Sequence, residues 1–280
     1  MKIPPTDELL QIAEFAAITA GEQTTKLQGG ILDIKQKGFR DFVTDADFRS
    51  QELILETISR RYPNHGYLTE ENEHILSPES PVIWVIDPID GTTNYSRGHP
   101  LYTIAIAAAV SHQGNRSEGT KSNLELLLKH HQLAAGAIYD PAGGEMFGAT
   151  HESVSTLNKA PIKVSEVGLL ENAVIGIDWS RDFDQRQLML EIISQLAHKV
   201  HTIRAIGSAA QALAWVACGR LDVYINLGIG PWDVAAAKVI ITSAGGTVSD
   251  LSGESWNLWH PSCLASNGLL HDQLLEQIRH

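Results

Sequence analysis

The chain has 280 residues, of which 43% are hydrophobic and 19% charged, and its formal net charge is −12. This length is enough for one large or two small domains with a buried core, and the composition is typical of an α/β protein. The negative charge disfavours electrostatic binding to nucleic acid or to anionic membranes. No apolar run approaches the roughly 18 residues of a membrane span.

The amino-terminal part of the chain predicts two amphipathic helices, near residues 6–20 and 46–61. Their apolar residues recur at helical spacing. The second helix follows Thr44-Asp45-Ala46-Asp47, and threonine and aspartate are good capping residues at a helix start. The residues before the first helix lack the apolar core of a signal peptide, so we expect a cytoplasmic protein.

Two adjacent glutamates, Glu70 and Glu71, end a short apolar segment that begins after a turn at residues 63–66. Neighbouring side chains of a strand point to opposite faces of a sheet, so only one of the two can reach a given ion. By itself such a pair is also typical of a solvated surface.

The next segment, residues 84–94 (WVIDPIDGTTN), is the most informative of the chain. Its first three residues are apolar and predict a strand buried on both faces, with Asp87 at its carboxyl end and a turn fixed by Pro88. Asp90 follows three residues after Asp87, close enough to share or flank one ion with it. Hard oxygen ligands of this kind select Mg²⁺, Mn²⁺ or Ca²⁺.

Three further residues of this segment suit a phosphate group. Gly91 lets the backbone approach a ligand closely. The amides and hydroxyls of Thr92 and Thr93 can bind phosphate oxygens. Taken alone, the Asp-Pro-x-Asp-Gly part is equally typical of a solvated turn.

Strands predicted near residues 103–110 and 133–139 flank a polar, turn-rich segment at 111–129. This arrangement predicts a long hairpin with a flexible connection. His130 and His131 are the nearest approach to a histidine cluster, and we interpret them as solvated hairpin residues rather than metal ligands.

The chain has two cysteines, Cys218 and Cys263. They show no Cys-x-x-Cys spacing, so neither a thiolate metal site nor a redox motif is indicated. We expect both to be buried thiols.

From residue 173 onward strands and helices alternate, which indicates an α/β architecture. The predicted strands lie near 173–177, 200–204 and 221–226, and the predicted helices near 182–198, 208–219 and 233–245. The helix after Ile206-Gly207-Ser208 has free amides and a dipole that favour an anionic or hydroxyl-rich ligand, while Ser208 is equally a simple N-cap. Asp233 lies where another helix begins, and capping is its default role.

Several of these segments together closely resemble the inositol monophosphatase family, the Mg²⁺-dependent, Li⁺-sensitive sugar phosphatases. The matching segments are residues 37–47, 68–71, 84–94 and 230–237 with 244–246. The resemblance covers essentially the whole chain. It implies an α/β fold, a layered αβαβα sandwich of the inositol monophosphatase and fructose-1,6-bisphosphatase type. It also implies a single domain over residues 1–280, with a metal-site half at about 1–160 and an α/β substrate half at about 161–280.

The same resemblance implies roles for individual residues. One Mg²⁺ is held by Glu70, Asp87 and the backbone carbonyl of Ile89, and a second by Asp87, Asp90 and Asp233. The catalytic residues are Glu70, Thr92 and Asp47, with Thr92 and Asp47 hydrogen-bonded to each other and orienting the attacking water. The implied substrate contacts are Asp90, Gly91, Thr92, Gly207, Ser208, Ala209, Asn226 and Asp233. Two or three Mg²⁺ per site are expected, with Mn²⁺ as a possible substitute, Li⁺ or Ca²⁺ as inhibitors, and a homodimer as the assembly.

One residue departs from the animal members of the family. Asn226 lies where those enzymes have a glutamate that binds inositol hydroxyls, and asparagine keeps the hydrogen-bonding capacity but removes the charge. Inositol 1-phosphate is the first substrate that the resemblance implies. Fructose 1,6-bisphosphate, histidinol phosphate and adenosine bisphosphate are alternatives.

A function of another class stays open. Bacterial relatives of this family also act as interaction partners of the transcription machinery, so the chain is alternatively a binding protein. Its negative net charge, and the lack of a continuous row of basic residues, argue against direct contact with nucleic acid.

Overall fold

The computed structural model describes residues 3–28, 34–38, 41–71, 80–111, 131–258 and 260–278. Its helices are α1 (Thr6–Leu27), α2 (Asp45–Arg61), α3 (Thr92–Ser96), α4 (Phe183–Leu196), α5 (Ala209–Ala217), α6 (Pro231–Ser243) and α7 (His271–Ile278), and a 3₁₀ turn covers Leu170–Asn172. Its strands are β1 (Ile34–Gly38), β2 (Asp41–Thr44), β3 (Gly66–Thr69), β4 (Val82–Asp90), β5 (Thr103–Ser111), β6 (His131–Asp140), β7 (Glu145–Thr150), β8 (Thr156–Leu157), β9 (Ala160–Pro161), β10 (Val174–Ile177), β11 (Thr202–Ala205), β12 (Val223–Leu227), β13 (Thr247–Ser249) and β14 (Ser262–Ser266).

The larger sheet has the strand order β3-β4-β5-β6-β7-β8-β9. β3 and β4 run parallel, and each following pair of neighbours is antiparallel. Every residue of β4 is buried, because helices cover both faces of the sheet. The parallel pair brings the ends of β3 and β4 to the same edge, which places Glu70 near Asp87.

The smaller sheet has the strand order β11-β10-β12-β14-β13. β10 pairs in parallel with both β11 and β12, and the remaining pairs are antiparallel. The carboxyl ends of three parallel strands therefore lie side by side. The segments that leave them begin at Asp178, Ile206 and Gly228.

The elements stack in five layers, alternately helical and sheet. α1 and α2 pack on one face of the larger sheet, against Trp84 and Ile86 of β4. α5 and α6 lie between the sheets and pack on Val85 of β4 and Tyr224 of β12. α4 and α7 cover the outer face of the smaller sheet, where Ile225 is buried. Because successive side chains of a strand point to opposite faces, each strand contributes buried side chains to both faces of its sheet.

The αβαβα architecture expected from the sequence is confirmed, as is the pairing of the strands on either side of the polar segment at 111–129, which are β5 and β6. Most of that segment, and His130, lie outside the described residues. His131 opens β6 with its Nε2 atom 3.3 Å from the carbonyl oxygen of Ser80. None of the described helices combines the length and the apolar character that crossing a membrane requires.

Two local expectations are wrong. Pro88 does not end β4, which continues to Asp90; the pairing with β5 is interrupted between Asp87 and Asp90, because proline has no N–H to donate. The turn follows at Gly91, whose φ is 92°. α6 begins at Pro231, two residues before Asp233, consistent with the preference for proline in the first turn of a helix. The capping role expected of Asp233 is confirmed, since its carboxylate accepts from the amide of Gly230 at 2.7 Å.

The cysteine expectation is confirmed for one of the two residues. Cys263 is buried in β14, whereas Cys218 is partly exposed. Cys218 follows the last residue of α5 as its C-cap, where the helix leaves the core.

Candidate functional site

The carboxyl ends of several strands open into a cavity of about 580 Å³. Its walls come from the segments after β3, β4, β10 and β12 and from the beginnings of α5 and α6. Crevices at the carboxyl ends of parallel strands are the usual ligand sites of α/β folds. The sequence-predicted residues that line it are Glu70, Asp87, Ile89, Asp90, Gly91, Thr92, Gly207, Ser208, Ala209, Asn226 and Asp233.

Three carboxylates converge in this cavity. Asp87 and Asp90 come from the end of β4, and Asp233 is the third residue of α6. One oxygen atom from each lies within 4.8 Å of the others. The sequence spacing of Asp87 and Asp90 predicted their proximity, but Asp233 reaches them only through the packing of α6 between the sheets.

Asp90 is held by the beginning of α5. Its carboxylate accepts hydrogen bonds from the backbone amides of Ala209 (3.2 Å) and Ala210 (2.8 Å) and from the hydroxyl of Ser208. The Ser208 hydroxyl oxygen also accepts from the amide of Gln211 at 3.4 Å. The backbone amides that we expected to bind an anionic ligand therefore bind the carboxylate of Asp90. Ser208 is the N-cap of α5 and also donates to Asp90.

Burial and mutual repulsion dominate the electrostatics of the cluster. Burial, followed by the negative charge of Glu70, raises the pKa of Asp87 well above its usual value. Burial and the charge of Asp90 raise the pKa of Asp233 to about 7, and the Asp87 and Asp233 side chains are hydrogen-bonded to each other. Carboxylates so close together need a proton or a cation between them.

Glu70 lies on the cavity wall, one residue beyond β3, but outside the tight group of three carboxylates. Its side chain is 15% exposed, and its Oε1 atom is 4.0 Å from Nη2 of Arg181. Its charge nevertheless raises the pKa of Asp87. Glu70 therefore shares the cavity with the three aspartates from a position on its wall.

The hydrogen bond between Thr92 and Asp47 is present. The Thr92 hydroxyl lies 3.1 Å from Oδ1 of Asp47 and 3.2 Å from the carbonyl oxygen of Ile89. The other carboxylate oxygen of Asp47 accepts from the backbone amide of Thr44 at 2.8 Å and from its hydroxyl at 2.6 Å. Asp47 thus belongs to the capping box of α2 and contacts the cavity residue Thr92 at the same time.

A chain of hydrogen-bonded polar side chains includes two residues of the cavity wall, Asp178 and Asn226. Asn226 donates from Nδ2 to the hydroxyl of Tyr224 at 2.8 Å, and that hydroxyl donates to Asp178 at 2.9 Å. Asp178 also accepts from the amides of Ile206 (3.1 Å) and Gly207 (2.6 Å). Burial raises the pKa of Asp178 to about 6. Asp178 therefore positions the turn that leads into α5.

Comparison with known proteins assigns this chain to a family. The model of the inositol monophosphatase family matches residues 6–115 and 127–280. The chain belongs to the inositol monophosphatase family. The earlier resemblance, drawn from separate segments, is therefore confirmed over almost the full length.

Individual relatives span nearly all of the chain. An inositol-1-monophosphatase of Synechocystis is 35% identical over 96% of this chain and 88% of its own length. The Nus factor SuhB of Escherichia coli is 31% identical over 97% of this chain and 96% of its own length. The solved inositol monophosphatase of Anabaena superposes with a TM-score of 0.81 at 31% identity, covering 98% of this chain and 96% of the other.

Inositol monophosphatases are metal-dependent, and the donor set of this member fits a hard divalent cation. Asp87, Asp90 and Asp233 supply only oxygen atoms, within 4.8 Å of one another. Oxygen donors favour Mg²⁺, Mn²⁺ or Ca²⁺ over softer metals. Burial and neighbouring carboxylates raise the pKa of Asp87 and of Asp233, and the positive charge of Arg181 offsets this only in part at Asp233.

Several residues of the inositol monophosphatase cavity were not found from sequence. Besides Asp178, they are Trp179, Ser180, Arg181, Arg186 and Trp232. One signal was available, because the strand predicted at 173–177 leads directly into Asp178 and ligand sites follow the carboxyl ends of parallel strands. Trp232 lies beside Asp233 in a segment that the sequence analysis had already singled out.

Proposed function

We propose that this member of the family is a Mg²⁺-dependent phosphatase that hydrolyses monoesters of small sugar or polyol phosphates, with inositol 1-phosphate as its first substrate. The observation that carries the proposal is the convergence of Asp87, Asp90 and Asp233 beside the hydrogen-bonded pair of Thr92 and Asp47. The three aspartates provide oxygen atoms that can bind a cation, and the Thr92–Asp47 pair provides an acceptor for a proton.

The metal assignment follows the resemblance to the family. Glu70, Asp87 and the Ile89 carbonyl would hold one ion, and Asp87, Asp90 and Asp233 a second. All five residues line the same cavity. Bound Mg²⁺ supplies stabilisation of negative charge on phosphoryl oxygens and increases the acidity of water.

The protein side chains orient the reactants. The Thr92 hydroxyl can donate its proton to Asp47, which would leave its oxygen lone pairs to accept from an incoming water molecule. Asp47 is fixed in turn by the amide and hydroxyl of Thr44. The backbone amides of Gly91 and Thr92 would steady the oxygens of the phosphate. Water would attack phosphorus directly while the P–O bond to the alcohol breaks. The water would pass a proton to the Thr92–Asp47 pair and the leaving alkoxide would take one up from solvent, so no phosphoenzyme is required.

Substrate choice depends on the cavity residues outside the proposed metal site. Gly207, Ser208, Ala209 and Asn226 lie where the substrate ring is expected, and Asn226 contributes an amide where the animal enzymes have a carboxylate. The name of the cyanobacterial relative supports inositol 1-phosphate. The neutral side chain of Asn226 supports a broader range that includes fructose 1,6-bisphosphate, histidinol phosphate and adenosine bisphosphate.

The test is phosphate release from inositol 1-phosphate and from fructose 1,6-bisphosphate, each with Mg²⁺ and with EDTA. We expect turnover with Mg²⁺ and none with EDTA. Turnover of inositol 1-phosphate alone supports an inositol-phosphate phosphatase, and turnover of both compounds supports a broad range of sugar-phosphate substrates. Equal phosphate release in EDTA contradicts the proposal.

A binding function is a second candidate, because one relative of nearly equal length is named a Nus factor. In this proposal the chain binds a protein of the transcription machinery and not nucleic acid, since its net charge is −12. A pull-down from cell extract that recovers RNA polymerase subunits in proportion to the bait supports it. Recovery no greater than with an unrelated acidic protein contradicts it.

We further propose that the protein is a cytoplasmic homodimer and that residues 1–280 form a single domain whose two halves meet near residue 160. The larger sheet ends at Pro161 and the smaller begins at Val174, which supports the boundary. Measurement of the molar mass in solution tests the dimer.

A further inference from the structure

Tyr224 joins two residues of the cavity wall across the smaller sheet. It lies on β12 and is paired in register with Gly176 of β10. Asp178 follows two positions after Gly176, and Asn226 follows two positions after Tyr224. Because residues two apart along a strand share a face, the register brings Asp178, Tyr224 and Asn226 to the same face of the sheet.

Gly176 leaves room for the ring of Tyr224. A Cβ atom at residue 176 would lie 3.1 Å from Cδ2 of Tyr224 and 2.8 Å from Cδ1 of Leu221. Since there is no side chain at this position, the ring extends across to β10, and its hydroxyl lies 2.9 Å from Oδ2 of Asp178. The ring is completely buried, so packing holds the hydroxyl in place.

The hydrogen bonds of this chain run in one direction. The backbone amides of Ile206 and Gly207 both donate to Oδ1 of Asp178, which leaves Oδ2 to accept from Tyr224. Burial, followed by the charge of Asp178, raises the pKa of Tyr224 well above its usual value, so the hydroxyl keeps its proton. Burial raises the pKa of Asp178 only to about 6, so at pH 7 this carboxylate is mostly ionised and accepts that proton.

The direction of the chain sets the orientation of the Asn226 amide. A tyrosine hydroxyl has one proton, and Tyr224 donates it to Asp178, so toward Asn226 it can only accept. The contact of 2.8 Å therefore comes from Nδ2 of Asn226, and Oδ1 lies on the other side of the amide. Only 8% of Asn226 is exposed, and it lines the cavity. Within the described part of the chain no group donates to its Oδ1 atom, so this acceptor is left for a ligand.

We propose that Tyr224 and Asp178 are positioning residues for substrate selection, which turn the carbonyl oxygen of Asn226 toward the cavity to accept a hydrogen bond from a hydroxyl group of the substrate. This inference rests on the proposed phosphatase function and deepens it by naming the chemistry that Asn226 recognises. An anionic group at this point would meet the lone pairs of the carbonyl oxygen, whereas a hydroxyl donates to them. The selected class is a phosphate ester of a polyol or sugar with a free hydroxyl group opposite Asn226.

The experiment measures kcat and KM with Mg²⁺ for a hydroxylated substrate and for phenyl phosphate, whose ring has no hydroxyl group. The hydroxylated substrate is inositol 1-phosphate, or fructose 1,6-bisphosphate if the enzyme hydrolyses only that ester. Tyr224→Phe leaves the Asn226 amide without an orienting partner. We expect KM for the hydroxylated substrate to rise about 3- to 10-fold at nearly unchanged kcat, the usual effect of one lost hydrogen bond. KM for phenyl phosphate should not change, whereas a purely structural defect would affect both substrates alike.

The fold should tolerate this substitution. Asp178 is only partly buried, so water can donate to its Oδ2 atom in place of the lost hydroxyl. Circular dichroism of the same preparation checks that the variant is folded. Tyr139→Phe is the matched control, since Tyr139 is a partly buried tyrosine of β6 outside the cavity lining, and its KM values should match those of the wild type.

A double-mutant cycle shows whether Tyr224 acts through Asn226. Asn226→Ala removes the acceptor and should raise the same KM, and adding Tyr224→Phe to it should have no further effect. Asn226→Asp has an oxygen atom on both sides of the group and needs no orientation. Tyr224→Phe should therefore have no effect on KM in that background either.

The two proposals fail in different ways. Suppose that the enzyme releases phosphate, but Tyr224→Phe changes neither KM, changes both alike, or adds to the effect of Asn226→Ala. The positioning role is then wrong and the phosphatase function stands. If neither hydroxylated substrate releases phosphate in the presence of Mg²⁺, the proposed function fails and the positioning role fails with it.

Discussion

At the scale of a single side chain, Asp90 joins the larger sheet to the start of α5. It comes from β4 of the larger sheet, and its carboxylate is bound by Ser208, Ala209 and Ala210 at the start of α5. The same carboxylate lies within 4.8 Å of Asp87 and Asp233. One residue thus sets the position of a helix and supplies an oxygen to the proposed metal site.

The Asp90→Asn variant separates these two tasks. The amide has the size of the carboxylate, and its carbonyl oxygen can still accept from Ala210, so we expect the fold to persist. The lost negative charge should lower kcat at least about a hundredfold, because one member of a two-metal clamp contributes several kcal/mol of transition-state stabilisation.

Phosphate release and circular dichroism of the same preparation measure both effects. Asp272→Asn is the matched control, since Asp272 is exposed in α7. Near wild-type turnover in folded Asp90→Asn would mean that Asp90 has only its structural task.

At the scale of the element, the close approach of α6 to the larger sheet places Asp233. Gly136 of β6 faces the backbone of α6, and a Cβ atom there would lie 2.9 Å from the Cα atom of Ala236 and closer still to its carbonyl oxygen. Backbone atoms cannot rotate away as a flexible side chain can. The helix therefore sits as close to the sheet as it does because residue 136 has no side chain.

We expect Gly136→Ala to lower the free energy of unfolding by about 1–3 kcal/mol, the usual cost of overpacking. It should also reduce activity, because a displaced α6 carries Asp233 with it. Gly168→Ala is the control: Gly168 is exposed, and its added Cβ would meet no atom within 4 Å. Equal urea midpoints for the two variants would show that α6 is not held in this way.

The elements also show which parts of the site a sequence can predict. The capping box of α2 and the Asp87–Asp90 pair depend on residues a few positions apart, and both were predicted. The bulge at Pro88 could not be predicted from nearby residues, because it depends on the pairing of β4 with β5. That pairing is interrupted where proline lacks an N–H group. Asp178 functions through Tyr224, 46 positions away, so its role depends on the adjacency of β10 and β12.

At the scale of the whole molecule, folding concentrates part of a net charge of −12 in one cavity. Asp233 is far along the chain from Asp87 and Asp90, but in the folded protein the three carboxylates lie within 4.8 Å of one another. Burial raises the pKa of each, and repulsion by neighbouring carboxylates raises those of Asp87 and Asp233 further. A cation that binds the folded state alone relieves this repulsion. Its binding is therefore linked to global stability.

We expect Mg²⁺ at about 100 times its dissociation constant to stabilise the folded protein by about 2.7 kcal/mol, which corresponds to a rise in Tm of roughly 5–10 °C. Calorimetry in Mg²⁺ and in EDTA, at matched ionic strength with NaCl, measures the rise. Asp87→Asn is the informative variant: it removes one repelling charge and one metal ligand, so its Tm in EDTA should exceed that of the wild type while its response to Mg²⁺ shrinks. An identical Tm in Mg²⁺ and EDTA for the wild type would contradict cation binding at this cluster, because a ligand that binds only the folded state must stabilise it.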